Sequence, residues 1–120
     1  MLETMKDVVV VLTTVPDEAA GRTIAQALVS ECLAACVNQV PRITSFYRWE
    51  DRLCEDTGDL LIIKTVRERL SAVTDLIRSL HPDVLPEVIA LPVSGGLPAY
   101  LAWVVDEVAC PLQGGTIVER

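Results

Sequence analysis

Residues 8–14 read Val-Val-Val-Val-Leu-Thr-Thr, an unbroken run of apolar and β-branched side chains. Such a run does not alternate between a dry face and a wet one. It predicts a central strand that is covered on both faces, or covered on one face and buried at an interface on the other. The rest of the chain has to supply that cover.

A helix opens directly after the strand. Pro16 suits a first turn, and Asp17 and Glu18 suit the positive end of the helix dipole. Ala20, Ile24, Leu28 and Ala35 continue at helical spacing. The segment Leu33-Ala34-Ala35-Cys36-Val37-Asn38 then passes from helix to strand with no Gly or Pro between. From Val37 the chain is extended, with Ile43, Ser45, Tyr47 and Trp49 on one face and Thr44, Phe46 and Arg48 on the other. Pro41 cannot donate a ladder hydrogen bond, so the strand bends or lies at an edge there. Glu50-Asp51 forms a turn, and residues 59–65 return as the second arm of a long hairpin. Thr65-Val66-Arg67-Glu68 matches a capping box ahead of a helix striped by Leu70, Val73, Ile77 and Leu80. That helix stops at His81-Pro82. A short strand over 86–93 and a loop at Gly95-Gly96 follow. A last helix has Pro98 in its first turn and a stripe of Leu97, Leu101, Val104, Val105 and Val108.

The order β-α-β-β-α-β plus a helix is the split β-α-β arrangement. It predicts an α+β, ferredoxin-like fold with an extra C-terminal helix. One domain spans residues 1–120, with its core over about 8–109 and a mobile tail over 110–120. Two helices cover only one sheet face, while the first strand is too apolar to leave the other face wet. Half of the chain is hydrophobic, at 51%, and mean hydropathy is +0.40. Both point to an oligomer in which the open face meets a copy of itself.

The formal net charge of −7, with no two adjacent Lys or Arg residues, argues against nucleic acid as a partner. No segment is long enough to span a membrane, and residues 1–7 lack the charge pattern of a signal peptide. A cytoplasmic location is expected, with Cys32, Cys36, Cys54 and Cys110 present as thiols. Gly95-Gly96 lacks the phosphate-loop pattern, and one histidine with no nucleophile motif gives no catalytic triad. The acids Glu50-Asp51 and Glu55-Asp56 read as a solvated turn region, or as a loose cation site.

Several short motifs recur in a specific order. They are Thr13-Thr14-x-Pro16, Leu33-Ala34-Ala35-Cys36-Val37-Asn38, Ser45-x-Tyr47-x-Trp49 and Ile63-Lys64-Thr65. Downstream stand His81-Pro82, Pro86-Glu87, Leu91-Pro92 and Tyr100-Leu101-x-Trp103. Over about residues 8–108 this set resembles the CutA divalent-cation tolerance proteins. The resemblance implies a homotrimer of ferredoxin-like protomers, related in shape to the PII signalling proteins. It also implies a response to copper and other divalent cations, and no enzymatic activity. The chain departs from the family pattern in places. Thr13 replaces a Cys that binds copper in some members, and Leu80-His81 replaces a His pair. Asp83 stands where an aromatic commonly follows His-Pro, and Asp51 stands where Gly is usual.

The candidate site residues carry alternatives. His81 is a metal ligand, with Asp83, Glu87 or another subunit adding donors, or it caps carbonyls at the helix end. Cys36 is a reactive or metal-binding thiol, or a small side chain at a tight crossing. Lys64 and Glu87 form a structural ion pair, or line a cleft. Tyr47, Trp49, Tyr100 and Trp103 hold every Tyr and Trp of the chain, and serve a subunit interface or an aromatic-walled ligand cleft. The expected function is a divalent-cation tolerance-type homotrimer, with a copper ion, another divalent cation or a small molecule bound at intersubunit clefts. The alternative is a regulatory trimer that docks partner proteins without metal chemistry.

Overall fold

The computed structural model describes residues 7–109 and 117–120. Strand β1 (Val8–Val15) lies second from one edge of a four-stranded antiparallel sheet of order β2-β3-β1-β4. Helix α1 (Glu18–Ser30) leads to β2 (Cys36–Trp49) and β3 (Arg52–Val66). A 3-10 turn (Arg67–Arg69) precedes α2 (Leu70–Leu80), then β4 (Ile89–Pro92) and α3 (Pro98–Glu107). This is the expected ferredoxin-like fold with its extra helix. Most of the expected 110–120 tail falls outside the described residues, and 117–120 are irregular and exposed. No helix among the described residues is long and apolar enough to cross a membrane.

Alternation along β1 sorts its side chains. Val9, Val11 and Val15 join Leu61 and Ile63 of β3 beneath Ile24 and Leu28 of α1 and Val73 and Ile77 of α2. Thr13 faces the same way, fully buried, and its hydroxyl has no hydrogen-bond partner. On the opposite face α3 covers one end only, packing Val104 and Val108 on Val8 and Val66. The remainder of that face is uncovered and carries a row of apolar side chains beside Lys64 and Asn38. Val10, Leu12, Leu60 and Ile62 are half-buried, while Ile89 and Leu91 are 50% and 48% exposed.

Helix α1 starts where the sequence indicates, with Asp17 extended and accepting the Ala20 N–H at 2.8 Å. Its end differs from the expectation that carried the stripe to Ala35. The helix stops at Ser30, and Cys32 takes a left-handed conformation, φ 59°. Leu33 N–H then donates to Leu28 O at 2.9 Å, and Cys32 N–H to Val29 O at 3.1 Å. This is the Schellman ending, with Cys where Gly is usual. Three further residues then separate helix from strand. Of the expected thiols, Cys36 and Cys54 are free, whereas Cys32 is disulfide-bonded.

The capping box is also corrected. Thr65 belongs to β3, is fully buried, and donates its hydroxyl to Leu33 O at 2.6 Å. It ties the α1–β2 crossing to the sheet and caps no helix, and the turn before α2 has no side-chain cap. The hairpin behaves as read. Glu50 and Asp51 have φ of 50° and 65°, the two positive values of a type I′ turn. The ladder slips between Val40 and Ile43 beside Pro41, and Arg42 takes φ 55°. Buried Asp59 holds this bulge, accepting the Arg42 N–H at 3.2 Å and Gln39 Nε2–H at 2.9 Å. Gln39 Nε2 also donates to Glu18 O at 3.1 Å, which fastens the bulge to the start of α1. The bulge reverses the alternation, so Ile43, Ser45, Tyr47 and Trp49 share a face with Cys54 and Asp56 across the ladder.

Candidate functional site

The bent hairpin leaves a groove of about 940 Å³. One wall is the β1–α1 junction at Thr14, Val15 and Pro16. A second is the hairpin, through Phe46, Tyr47 and Trp49 of β2 and Asp56, Thr57 and Gly58 of β3. The third is the α2–β4 loop, through Asp83, Val84, Leu85 and Glu87. Gly58 sets the closest approach. A Cβ there would lie 2.3 Å from Val15 O, so only Gly lets the hairpin pass this near β1.

His81 fixes the third wall. Its Nε2 lies 2.7 Å from Thr14 O, and its Nδ1 lies 3.0 Å from the Asp83 N–H. A carbonyl only accepts and an amide N–H only donates, so Nε2 carries the proton and Nδ1 is the acceptor. The imidazole is neutral in this arrangement, its side chain is fully buried, and it joins the end of β1 to the loop. His81 does stand at the C-cap of α2, where its backbone N–H donates to Ile77 O at 2.8 Å, but its imidazole bonds a carbonyl of β1 and none of the helix. Both ring nitrogens are occupied, so a metal ion would have to displace one of these bonds. Asp83 Oδ2 stands 4.0 Å from Nδ1, whose acceptor site already holds Asp83's own N–H. Among the described residues no three His, Cys, Asp or Glu side chains stand close enough to hold a metal ion.

The other expected site residues divide between two places. Tyr47, Trp49 and Glu87 come together in the groove. Tyr47 donates its hydroxyl to Asp56, two positions diagonal to it across the ladder. That hydrogen bond, reinforced by desolvation and by the Asp56 charge, pushes the Tyr47 phenol up to about 12. Lys64 lies elsewhere, on the uncovered sheet face, where its ammonium donates to Asn38 Oδ1. No Lys64–Glu87 ion pair forms among the described residues, whose Lys or Arg salt bridge is Arg67–Asp7. Tyr100 and Trp103 stack against each other on α3, with centroids 5.5 Å apart and planes tilted by 34°. Burial, and then the neighbouring Cys36, raise the Tyr100 phenol above its ordinary value. Cys36 is half-buried at this second cluster, and its thiol lies 4.0 Å from Asn38 Oδ1.

Sequence reasoning missed Phe46, Val84, Leu85 and the role of Asp56. The hairpin register carries the signal for Asp56, because a turn at Glu50-Asp51 places Tyr47 opposite Cys54 and one diagonal step from Asp56. Val84 and Leu85 are 96% and 71% exposed, and nothing local in the sequence distinguishes them from an ordinary loop. The groove has a consistent charge. Asp56, Asp83 and Glu87 line it, and no Lys, Arg or His does.

Comparison with known proteins bears on most of the chain. Residues 9–107 match the family described as CutA1 divalent ion tolerance protein. The divalent-cation tolerance protein CutA of Thermus thermophilus is 49% identical over 94 residues, which cover 78% of this chain and 91% of that protein. A CutA homolog of Xenopus laevis is 50% identical over 93 residues, covering 78% of this chain but only 62% of that longer protein. The crystal structure of CutA1 from Oryza sativa superposes with a TM-score of 0.84 at 45% identity, covering 88% of this chain and 96% of that one.

Proposed function

Because this chain belongs to the CutA1 divalent ion tolerance family, we propose that it is a homotrimeric tolerance protein that binds a ligand in its hairpin grooves and catalyses no reaction. The observation that carries the assembly is the uncovered sheet face. Leu12, Leu60, Ile62, Ile89 and Leu91 form an apolar surface that a second copy would dry. Closed symmetry and the long β2 edge suit a PII-like ring of three. The hairpins then reach over neighbouring protomers, and the grooves lie between subunits.

Two ligand classes belong to the proposal, a divalent cation such as copper and a small molecule. The donors of one protomer do not fit a chelated copper ion. His81 has no spare nitrogen, Thr13 stands where a thiolate would be needed, and among the described residues no trio of donors converges. A metal held at this site would take ligands from more than one chain. The groove itself fits a small molecule in size.

The free thiols of Cys36 and Cys54 support a cytoplasmic location, and the disulfide at Cys32 speaks against it. Alkylation of thiols at the moment of lysis decides between them: a labelled Cys32 supports the cytoplasmic location, and a protected Cys32 overturns it. The assembly is tested by light scattering, which should give three chains of 13.1 kDa. A monomer mass at micromolar concentration overturns it.

A further inference from the structure

We infer that the groove receives an organic cation, a protonated amine or guanidinium carried on an apolar body, and does not receive a bare metal ion. The inference deepens the proposed ligand site and rests on that reading. Its first support is charge. Asp56, Asp83 and Glu87 come from three separate positions on two walls, and no basic side chain of the same protomer lines the groove. Glu87 has no salt-bridge partner among the described residues, and the imidazole beside Asp83 is neutral. An anionic ligand would meet three carboxylates and no donor of positive charge.

The second support is spacing. A hard cation such as calcium or magnesium needs about six to eight oxygens at about 2.0–2.6 Å, drawn together around one point. The three carboxylates do not converge in this way. Carboxylates set apart around a groove instead match a ligand whose N–H donors and charge are spread over several ångströms.

The third support is the aromatic wall. Tyr47 and Trp49 are 40% and 44% exposed, and they border the acids. Their ring faces attract a cation as well as an apolar body. The Tyr47 hydroxyl is committed to Asp56 and remains protonated, so the phenol adds no negative charge of its own. The walls are also preformed by the Gly58 contact with β1 and by the His81 bonds, which limits the ordering cost of binding.

The test is isothermal titration of the full chain with three probes of matched shape: phenethylammonium, 2-phenylethanol and 3-phenylpropionate. Phenethylammonium is expected to bind roughly tenfold tighter than the neutral alcohol, with no detectable binding of the anion. Glu87→Gln and Asp83→Asn should each weaken the amine by about fivefold and leave the alcohol unchanged. Both positions are exposed, and circular dichroism checks that the variants fold. Equal binding of amine and alcohol overturns the inference, because the groove is then merely apolar. Zinc or copper chloride alone binding in the groove and excluding the amine overturns it too, but leaves the proposed ligand site standing. Dissociation of the assembly by the amine, seen in light scattering, also overturns it, because a second copy then occupies the groove. Failure of every probe and both metals to bind overturns the inference and the ligand site together, while the trimer is judged by its own mass.

Discussion

The two faces of the sheet are built from alternate residues of the same strands, yet they have different fates. Leu61 and Ile63 are completely buried under α1 and α2, whereas Leu60 and Ile62 stand between them with only partial cover. Composition separates the two faces only weakly, since both carry rows of Leu, Ile and Val and the open one adds Lys64 and Asn38. What separates them is that the covered face finds its partner within the chain. The open face carries the hydrophobicity of a core without the helices to bury it, which is how an interface reads in a single protomer.

Substitutions in adjacent residues set the faces apart most strongly. Ile63→Ala should lower stability by about 2–5 kcal/mol, the range for a fully buried aliphatic side chain. Urea unfolding should show this loss whatever the protein concentration. Ile62→Asp should act through assembly. Its effect should grow with dilution, and light scattering should report single chains while circular dichroism keeps the folded signal. If Ile62→Asp leaves the mass unchanged, the open face is not where the copies meet.

His81 lies on the boundary between scaffold and groove, and comes next in expected effect. Its two hydrogen bonds join β1 to the loop that carries Asp83, Val84 and Glu87. His81→Ala should cost roughly 1–3 kcal/mol, because it strands Thr14 O and the Asp83 N–H as well as removing the ring. Hydrogen exchange should quicken along residues 82–88 and remain slow in β3. Slowed exchange in that loop, or no change, would mean that the imidazole does not hold the wall.

Much of the fold was legible because it follows from local alternation. The run at 8–14, the proline at 41 and the turn at Glu50-Asp51 each act on neighbouring backbone, and each appears where the sequence indicates. The misreadings have a common physical cause. Thr65 resembled a cap because Glu68 follows three residues later, but its hydroxyl bonds Leu33, 32 residues away. The end of α1 depends on a left-handed Cys32, which no Gly or Asn announces. The candidate site divided for a related reason. Tyr47, Trp49 and Glu87 are brought together by the bulge and the loop. Lys64 falls on the open face, where it bonds Asn38, and Tyr100 and Trp103 lie on α3.

A smaller effect probes the covered face from within. Thr13 shares the dry side of β1, and its hydroxyl is buried without a partner. Valine has nearly the same shape and no polar atom. Thr13→Val should therefore stabilise the fold by about 1 kcal/mol, the low end of the cost of an unsatisfied buried group. Thermal unfolding of the two proteins at equal concentration checks this. A destabilised variant would show that the hydroxyl has a partner in solution, and that this face is less dry than the packing indicates.

The smallest effect belongs to the groove on the open side and is read by titration. Both tyrosines should ionise above the ordinary value of 10.0 in the folded protein, Tyr47 near 12 because it donates to Asp56 and Tyr100 chiefly because it is partly buried. The folded state holds the phenol proton more tightly than the unfolded chain, which favours folding as long as both keep the proton and costs stability once the unfolded chain can release it. The contribution is complete below the unfolded value and is lost as pH rises through the folded one. Asp56→Asn removes the charged acceptor, and tyrosinate absorbance should then show one phenol moving back toward 10.0 while the other stays. Two phenols moving together would mean that the aromatic clusters communicate across the sheet. No movement would mean that Tyr47 and Asp56 are apart in solution, and Asp56 would then face the groove without the phenol whose proton it accepts.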